Sequence, residues 1–234
     1  MGSKFNNNHM LYEDLLKKEN PEADQSFQLI EYHDYYSNGN GKVKCKNLGE
    51  KFASINSYFL EYLREYHIPG AFMKTEGKSS LLFQKHDKFP FSVRILNTID
   101  KRTAKIFDKK EFEPLVLPLF ELHHGHGNDS LISESHLVAF DLCTIEEIKI
   151  INRICSKINA VLKSFFERRN SLLAEVTCSF GKNDDKIFLV DDFTPPSLKV
   201  IPVNKENNFI DPYKFSTAAE IKQYTDHLFN LMST

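Results

Sequence analysis

The chain has no tryptophan, only four cysteines in 234 residues and almost no surplus of charge, at a formal net −2. Each shortage removes a class of function. Cys45, Cys143, Cys155 and Cys178 are far apart and form no CxxC pair, so neither a thiolate zinc site nor a disulfide framework is supported. The thiols read as free cysteines of a reducing, cytoplasmic protein. A near-neutral chain has no general electrostatic drive toward a phosphate backbone, so nucleic acid is not an expected partner. No apolar run approaches the roughly 20 residues a membrane helix needs, and no signal-peptide core follows the start. The opening MGSKFN carries Gly2 but has Asn6 where myristoylation wants Ser or Thr, so lipidation is discounted.

What is present is a soluble globular composition, with 41% hydrophobic and 26% charged residues, in a chain long enough to bury a real core. Twenty phenylalanines predict a phenylalanine-rich interior. Residues 1–10 are polar and asparagine-rich, and read as a tail or remnant ahead of a natural start at Met10.

The chain is organised around residues 172–196, LLAEVTCSFGKNDDKIFLVDDFTPP. Two strand-like runs, 172–180 and 186–190, flank a polar turn, which is a hairpin signal. The second run ends in Asp191 and Asp192 and then Pro195-Pro196, which cannot continue a central strand. Carboxylates at a strand exit can hold a divalent cation and, through it, a phosphate chain. Acids there can equally stop the strand and face water.

Elsewhere, residues 11–18 read as a short amphipathic piece and 26–32 as a strand. Turn residues follow at 37–41, with a short strand at 43–46. Ile55, Tyr58, Phe59, Tyr62, Leu63 and Tyr66 share one helical face, with Ser54 as cap and Pro69-Gly70 as terminator. Three β-like runs, 71–74, 80–85 and 91–95, fit one small antiparallel sheet. Lys101 and Arg102 read as a solvated turn, and 115–122, which carries proline, as extended chain. His123, His124 and His126 invite a metal reading, but a glycine-rich loop offers nothing to orient the rings, and a polar loop is preferred. Residues 144–169 form a long helix opened by a Thr144–Glu147 capping box. Residues 202–212 are loop-like and 217–232 form a closing helix. The pattern is α+β, with two lobes and a cleft between them.

In order and spacing, LYEDLLKKENPEADQSFQLIEYHDYYSNGNGKV, NLGEKFASINSYFLEYLREYHIP, LLAEVTCSFG and IFLVDDFTPPSLKV resemble the SAICAR synthase family over most of the chain. That family uses ATP to join aspartate to a carboxylated aminoimidazole ribonucleotide. The resemblance implies an ATP-binding-like β-rich lobe over 11–90 and a substrate-binding-like α+β lobe over 91–234. It also implies ATP and Mg²⁺ as cofactors, a small anionic substrate, and a homo-oligomer. Carried over by position, Lys17, Glu175 and Asp191 would contact nucleotide. Asp191 and Asp192 would hold Mg²⁺, and Arg94, Asn97 and Lys199 would contact substrate.

The chain departs from the family where its chemistry sits. The phosphate-binding glycine is lost at 14–17, where DLLK stands. The family's Lys-Gly pair is Leu48-Gly49, and the asparagines after it are Phe52 and Ala53. Its substrate arginine falls on Leu96, with Arg94 one strand period away, about 6–7 Å. Its Gly-Ser site reads Lys101-Arg102, and its Asp, Lys and Glu on one strand become Glu175, Thr177 and Ser179. Its strand-exit arginine becomes Lys199, which keeps a point charge and loses the bidentate fork. Three readings stay open: the family ligase in altered form, a ligase for another acceptor, and a catalytically silent relative kept as a binding or regulatory protein.

Overall fold

The structure, a computed structural model, describes residues 17–20 (backbone only), 26–37, 42–125, 130–190, 193–203, 210–215 and 217–233. Its first sheet is antiparallel, in the order β1 (Lys17–Asn20), β2 (Phe27–Tyr32), β6 (Ser80–Gln84), β5 (Phe72–Thr75). A two-stranded ribbon of β3 (Tyr35–Ser37) and β4 (Lys42–Lys44) leads into helix α1 (Leu48–Glu65).

Helix α1 starts at Leu48, about two turns ahead of the start expected after Ser54. Its N-cap is Asn47 in the left-handed conformation, φ 63°, which Asn tolerates better than most residues. The Asp34 carboxylate stands in for a side-chain cap, accepting the N–H groups of Asn47 at 3.1 Å and Gly49 at 2.9 Å. Ser54 instead bonds back to the Glu50 carbonyl inside the helix. Gly49 is required here because an added Cβ would lie 2.4 Å from the Tyr32 carbonyl oxygen. The buried face of α1 is Phe52, Ile55, Phe59 and Leu63, each worth about 1.5–3 kcal/mol when removed from water.

The second sheet runs β11 (Lys186–Leu189), β10 (Ser171–Asn183), β7 (Asp87–Thr98), β8 (Pro114–His124), β9 (Leu131–Ile132). β12 (Leu198–Pro202) joins the early half of β10 on the side that β11 occupies further along. The expected single small sheet is therefore corrected: β5 and β6 belong to the first sheet, while the third run became the 12-residue β7 of the second. Proximity in sequence favoured one sheet, but β7 finds a 13-residue partner in β10 and pairs there.

Alternation along β7 and β10 divides the second sheet into two faces. Val93 and Ile95 stand opposite Cys178 and Val176, all buried, and helix α4 (Ile145–Glu167) packs on these strands. Its Thr144–Glu147 capping box is present as expected. Helices α2 (Lys101–Phe107) and α3 (Glu134–Ala139) are short. The closing helix α5 (Ala218–Met232) lies against α1. Its Tyr224 hydroxyl donates to the Leu198 carbonyl at 2.8 Å and accepts the Val200 N–H at 2.7 Å, fixing β12.

Phenylalanines join the two halves into one core. Phe59 of α1 packs on Phe165 and Phe166 of α4 and on Phe193, with ring centroids 5.3, 5.6 and 5.9 Å away. Buried Asn56 reinforces this junction. Its amide donates to the Phe52 carbonyl at 3.0 Å, and its oxygen accepts the Phe193 N–H, tying α1 to the chain just beyond β11.

Candidate active site

The face of the second sheet turned away from α4 carries Arg94, Glu121, Glu175 and Lys199. Strand register brings them together: Arg94 stands opposite Glu121 on β8, and Glu175 stands between Leu96 of β7 and Lys199 of β12. Glu175 is thus on the central strand and buried, not on an edge. Just past β7, Asp100 caps α2 by accepting the Thr103 N–H at 2.8 Å. Lys101 and Arg102 therefore open a helix rather than sitting in a solvated turn.

Arg94 is the hub. Its Nη1 donates to Asp100 Oδ2 at 2.9 Å and to Glu121 Oε2 at 3.3 Å, and its Nη2 to Glu175 Oε2 at 2.5 Å. Glu121 also accepts from Arg102 and lies 3.3 Å from His123 Nε2. The three carboxylates are 7, 10 and 6% exposed and the guanidinium side chain 19%, so these pairs are weakly screened.

Burial pushes the Asp100 carboxyl up, but the Thr103 hydrogen bonds and Arg94 outweigh it and hold the acid below its usual range. Glu121 is likewise raised by burial and lowered further by His123, Arg94 and Arg102. Burial lowers Arg94, yet the Glu175 hydrogen bond and charge, with Asp100, lift it above the ordinary guanidinium value.

Lys199 is buried, at 9% exposed. Burial lowers its ammonium to about 8 against the opposing pull of Glu175. It donates to the Pro195 carbonyl at 2.7 Å, with the rings of Tyr213 and Phe215 5.7 and 5.6 Å away. Burial and Glu175 together raise the Tyr213 phenol well above its usual value. Three acids (Asp100, Glu121, Glu175) thus face three bases (Arg94, Arg102, Lys199). The set is balanced within the chain. A phosphate dianion approaching Arg94 has to displace one of its carboxylates or be repelled by them.

Of the residues expected to contact substrate, Arg94 and Lys199 share this face, while Asn97 lies on the other. Asn97 is buried against α4, donating to Asn159 Oδ1 at 2.7 Å and accepting from Asn159 Nδ2 at 3.0 Å. Of those expected to contact nucleotide, Glu175 belongs to the network, and Lys17 lies in β1, its side chain outside the described residues. Asp191 and Asp192 also lie outside them, between buried Val190 and buried Phe193. Among the described residues, no three His, Cys, Asp or Glu side chains group as a metal site. His123 Nδ1 is 2.9 Å from the Ser130 hydroxyl and His124 Nδ1 2.6 Å from the Pro90 carbonyl. His126 is outside the described residues.

Asp100, Glu121 and Tyr213 were not among the expected site residues. Asp100 had a readable signal, an acid three residues before Thr103 at a helix start. Glu121 and Tyr213 had none, because only strand register and chain closure bring them near Arg94. Two clefts adjoin these elements. One of about 490 Å³ reaches Glu121 and is bounded by Phe120, Leu131, Glu134 and Asn152. The other, about 640 Å³, takes Phe27, Met73 and Gln84 from the first sheet and Asp87, Lys182 and Asn183 from the second.

The family model described as SAICAR synthetase matches residues 18–221. The chain belongs to the SAICAR synthetase family. A phosphoribosylaminoimidazole-succinocarboxamide synthase of Persephonella marina is 31% identical over 189 residues, 79% of each chain. Its counterpart in Pyrococcus abyssi is 28% identical over 222 residues, 92% of this chain and 94% of that one. Among solved structures, a SAICAR synthetase (Type-2) in complex with ADP superposes with TM-score 0.84 at 23% identity, over 94% of this chain and 95% of its own. SAICAR synthetase from Pyrococcus horikoshii OT3 superposes with TM-score 0.82 at 24% identity, over 93% and 97%. The α+β SAICAR synthetase fold expected from the sequence is the fold observed.

Proposed function

We propose that this chain is an ATP-dependent ligase of the SAICAR synthetase type, belonging to purine biosynthesis, whose acceptor side is altered so that the family's phosphorylated substrate is no longer turned over at ordinary rates. Family membership supports the ligase scaffold, and the ADP complex of a structural neighbour supports ATP as the nucleotide. ATP, when bound with Mg²⁺, supplies activation of a carboxylate toward attack by an amine. The chain's own contribution would be to hold the anions and keep water out. Asp191 and Asp192 are the residues proposed for Mg²⁺, with Lys17 and Asp191 toward the nucleotide and Arg94 and Lys199 toward an anionic substrate.

One observation carries the altered-acceptor reading: Arg94 is engaged by Asp100, Glu121 and Glu175 of its own chain. One oxygen of Glu175, Oε2, is already engaged by Arg94. Losing a single preorganised donor to developing charge costs about 3 kcal/mol in a transition state, or roughly 100-fold in rate.

Calorimetry with ATP, with and without Mg²⁺, tests the nucleotide half of this proposal. The expected result is Mg²⁺-dependent binding that Asp191→Asn abolishes. No heat and no competition at millimolar nucleotide would reject a ligase of either substrate class and leave a binding or regulatory relative.

A further inference from the structure

Residues 210–215, between β12 and α5, lie across the Lys199 end of the site. The Tyr213 ring is 5.7 Å from Lys199 Nζ and 5.7 Å from the ring of Phe112, in the connection before β8. The Phe215 ring is 5.6 Å from Nζ and 5.3 Å from the ring of Tyr224, which pins β12. The Tyr213 hydroxyl is buried beside Glu175. Phe112 holds a left-handed backbone, φ 66°, strained for so bulky a residue. Its N–H donates to the Ile99 carbonyl at 2.8 Å, and its ring backs Tyr213.

We propose that residues 210–215 are a built-in plug, with Tyr213 and Phe215 shutting Lys199 away from the anionic ligand it would otherwise hold. The inference takes one thing from the proposed function, that Lys199 serves an anion. The segment has the geometry of a cover rather than of core. Tyr213 and Phe215 are half-buried, whereas Tyr224, on which Phe215 packs, is 1% exposed. Residues 211–214 form a turn bonded within itself. The Tyr213 N–H donates to Asp211 Oδ1 at 2.9 Å and the Lys214 N–H to the Asp211 carbonyl at 3.1 Å, with Lys214 Nζ 2.9 Å from Asp211 Oδ2. None of these bonds crosses to a strand, so the turn lifts with its two rings and leaves the sheet ladder paired.

An anion has a reason to displace the rings. Glu175 Oε2 is engaged by Arg94, and the Lys199 ammonium is met instead by the Pro195 carbonyl at 2.7 Å and two aromatic rings. Such contacts hold a cation less strongly than a carboxylate or phosphate oxygen does. Ligand binding and lifting of the plug are then one equilibrium, and the apparent affinity falls in proportion to the open fraction. A variant that lacks one of the rings is open more often and binds the anion more tightly, the reverse of what losing a substrate contact does.

Acylation of the full chain by N-acetoxysuccinimide, read lysine by lysine by mass spectrometry, tests the proposal. In the wild type Lys199 should react at least about 10-fold more slowly than exposed Lys44 and Lys46. Tyr213→Ala, Phe215→Ala and Phe112→Ala, the last removing only the backing, should each speed Lys199 by at least about 10-fold. Cys155 and Cys178 are 0% exposed and should stay unreactive to a thiol reagent in the same variants, which separates a lifted plug from an unfolded chain. Millimolar succinate and inorganic phosphate, tried separately, should protect Lys199 in Tyr213→Ala and show which oxyanion it takes. Three results would overturn the plug: Lys199 as reactive as Lys46 in the wild type, Lys199 still protected in all three variants, or Lys199 exposed only together with the two thiols. Exposure in the variants without protection by either anion supports the plug and rejects the anion contact of the proposed function.

Discussion

Arg94→Met removes the hub of the site while keeping the length of the side chain. Three carboxylates then remain, each at most 10% exposed and each having lost its Arg94 partner. Glu121 keeps Arg102 as an ion-pair partner, and Glu175 keeps the charge of Lys199 across the strand pair. Removing one partner from a buried ionic set costs about 3–5 kcal/mol, because the remaining charge stays desolvated. With a urea m-value of about 3 kcal/mol/M, the midpoint should fall by about 1–2 M at pH 7.

The pH dependence has a definite sign. Asp100 and Glu121 titrate below their usual range in the folded state. Their stabilisation is therefore present above the ordinary carboxylate pKa and is lost as pH falls through the depressed folded values. In Arg94→Met the share of that depression due to Arg94 is relieved, while the Thr103, His123 and Arg102 contributions stay, so the difference between wild type and variant should be widest near pH 7 and narrow below about pH 4. Urea melts at pH 7 and pH 3.5, followed by circular dichroism, measure both. A difference under about 1 kcal/mol at pH 7, or one that does not narrow in acid, would refute the reading of Arg94 as neutralised by its own chain.

Gly49→Ala should destabilise by at least about 2 kcal/mol, since the new methyl meets backbone at Tyr32 rather than a side chain that can move. Thermal melts check it. Asn159→Ala leaves the Asn97 amide buried without its partner and should cost about 1–3 kcal/mol. Asn97→Ala/Asn159→Ala should cost less than the two single changes added, a non-additivity that a double-mutant cycle in urea reads directly. The folded ammonium of Lys199 titrates near 8, below its unfolded value. Between about pH 8 and 10 the unfolded chain binds more protons there, so the Lys199 contribution to stability rises with pH, against the opposite slope of the buried Cys45 and Cys143 thiols and the Tyr213 and Tyr224 phenols. That rise should be absent in Lys199→Met.

Elements with long periodic signals were legible in the sequence: α4 with its capping box, α5, and the β10–β11 hairpin stand where the patterns put them. The start of α1 was hidden because Asn47 caps it from a left-handed conformation, with the acceptor, Asp34, borrowed from 13 residues away. The split of three neighbouring strands between two sheets was hidden for a similar reason, since pairing of β7 with β10 is a long-range choice. At the site, the alternation of Arg94 and Leu96 gave the shared face correctly. It gave no hint that Glu121, far along the chain, would face Arg94, because side chains brought together by register leave no local pattern. Asn97 shows the same limit. Its position in the family's substrate strand matched, but the odd residues of β7 turn toward α4, where Asn159 holds it.

Aspartate-dependent ADP release with the carboxylated aminoimidazole ribonucleotide as acceptor, measured beside the Pyrococcus abyssi relative, tests most directly whether Arg94 is already taken by its own acids. The expected result is release at least about 100-fold below that relative, even with saturating ATP and Mg²⁺. Release at the relative's rate would mean that the guanidinium is free to serve the substrate, and the account would be wrong.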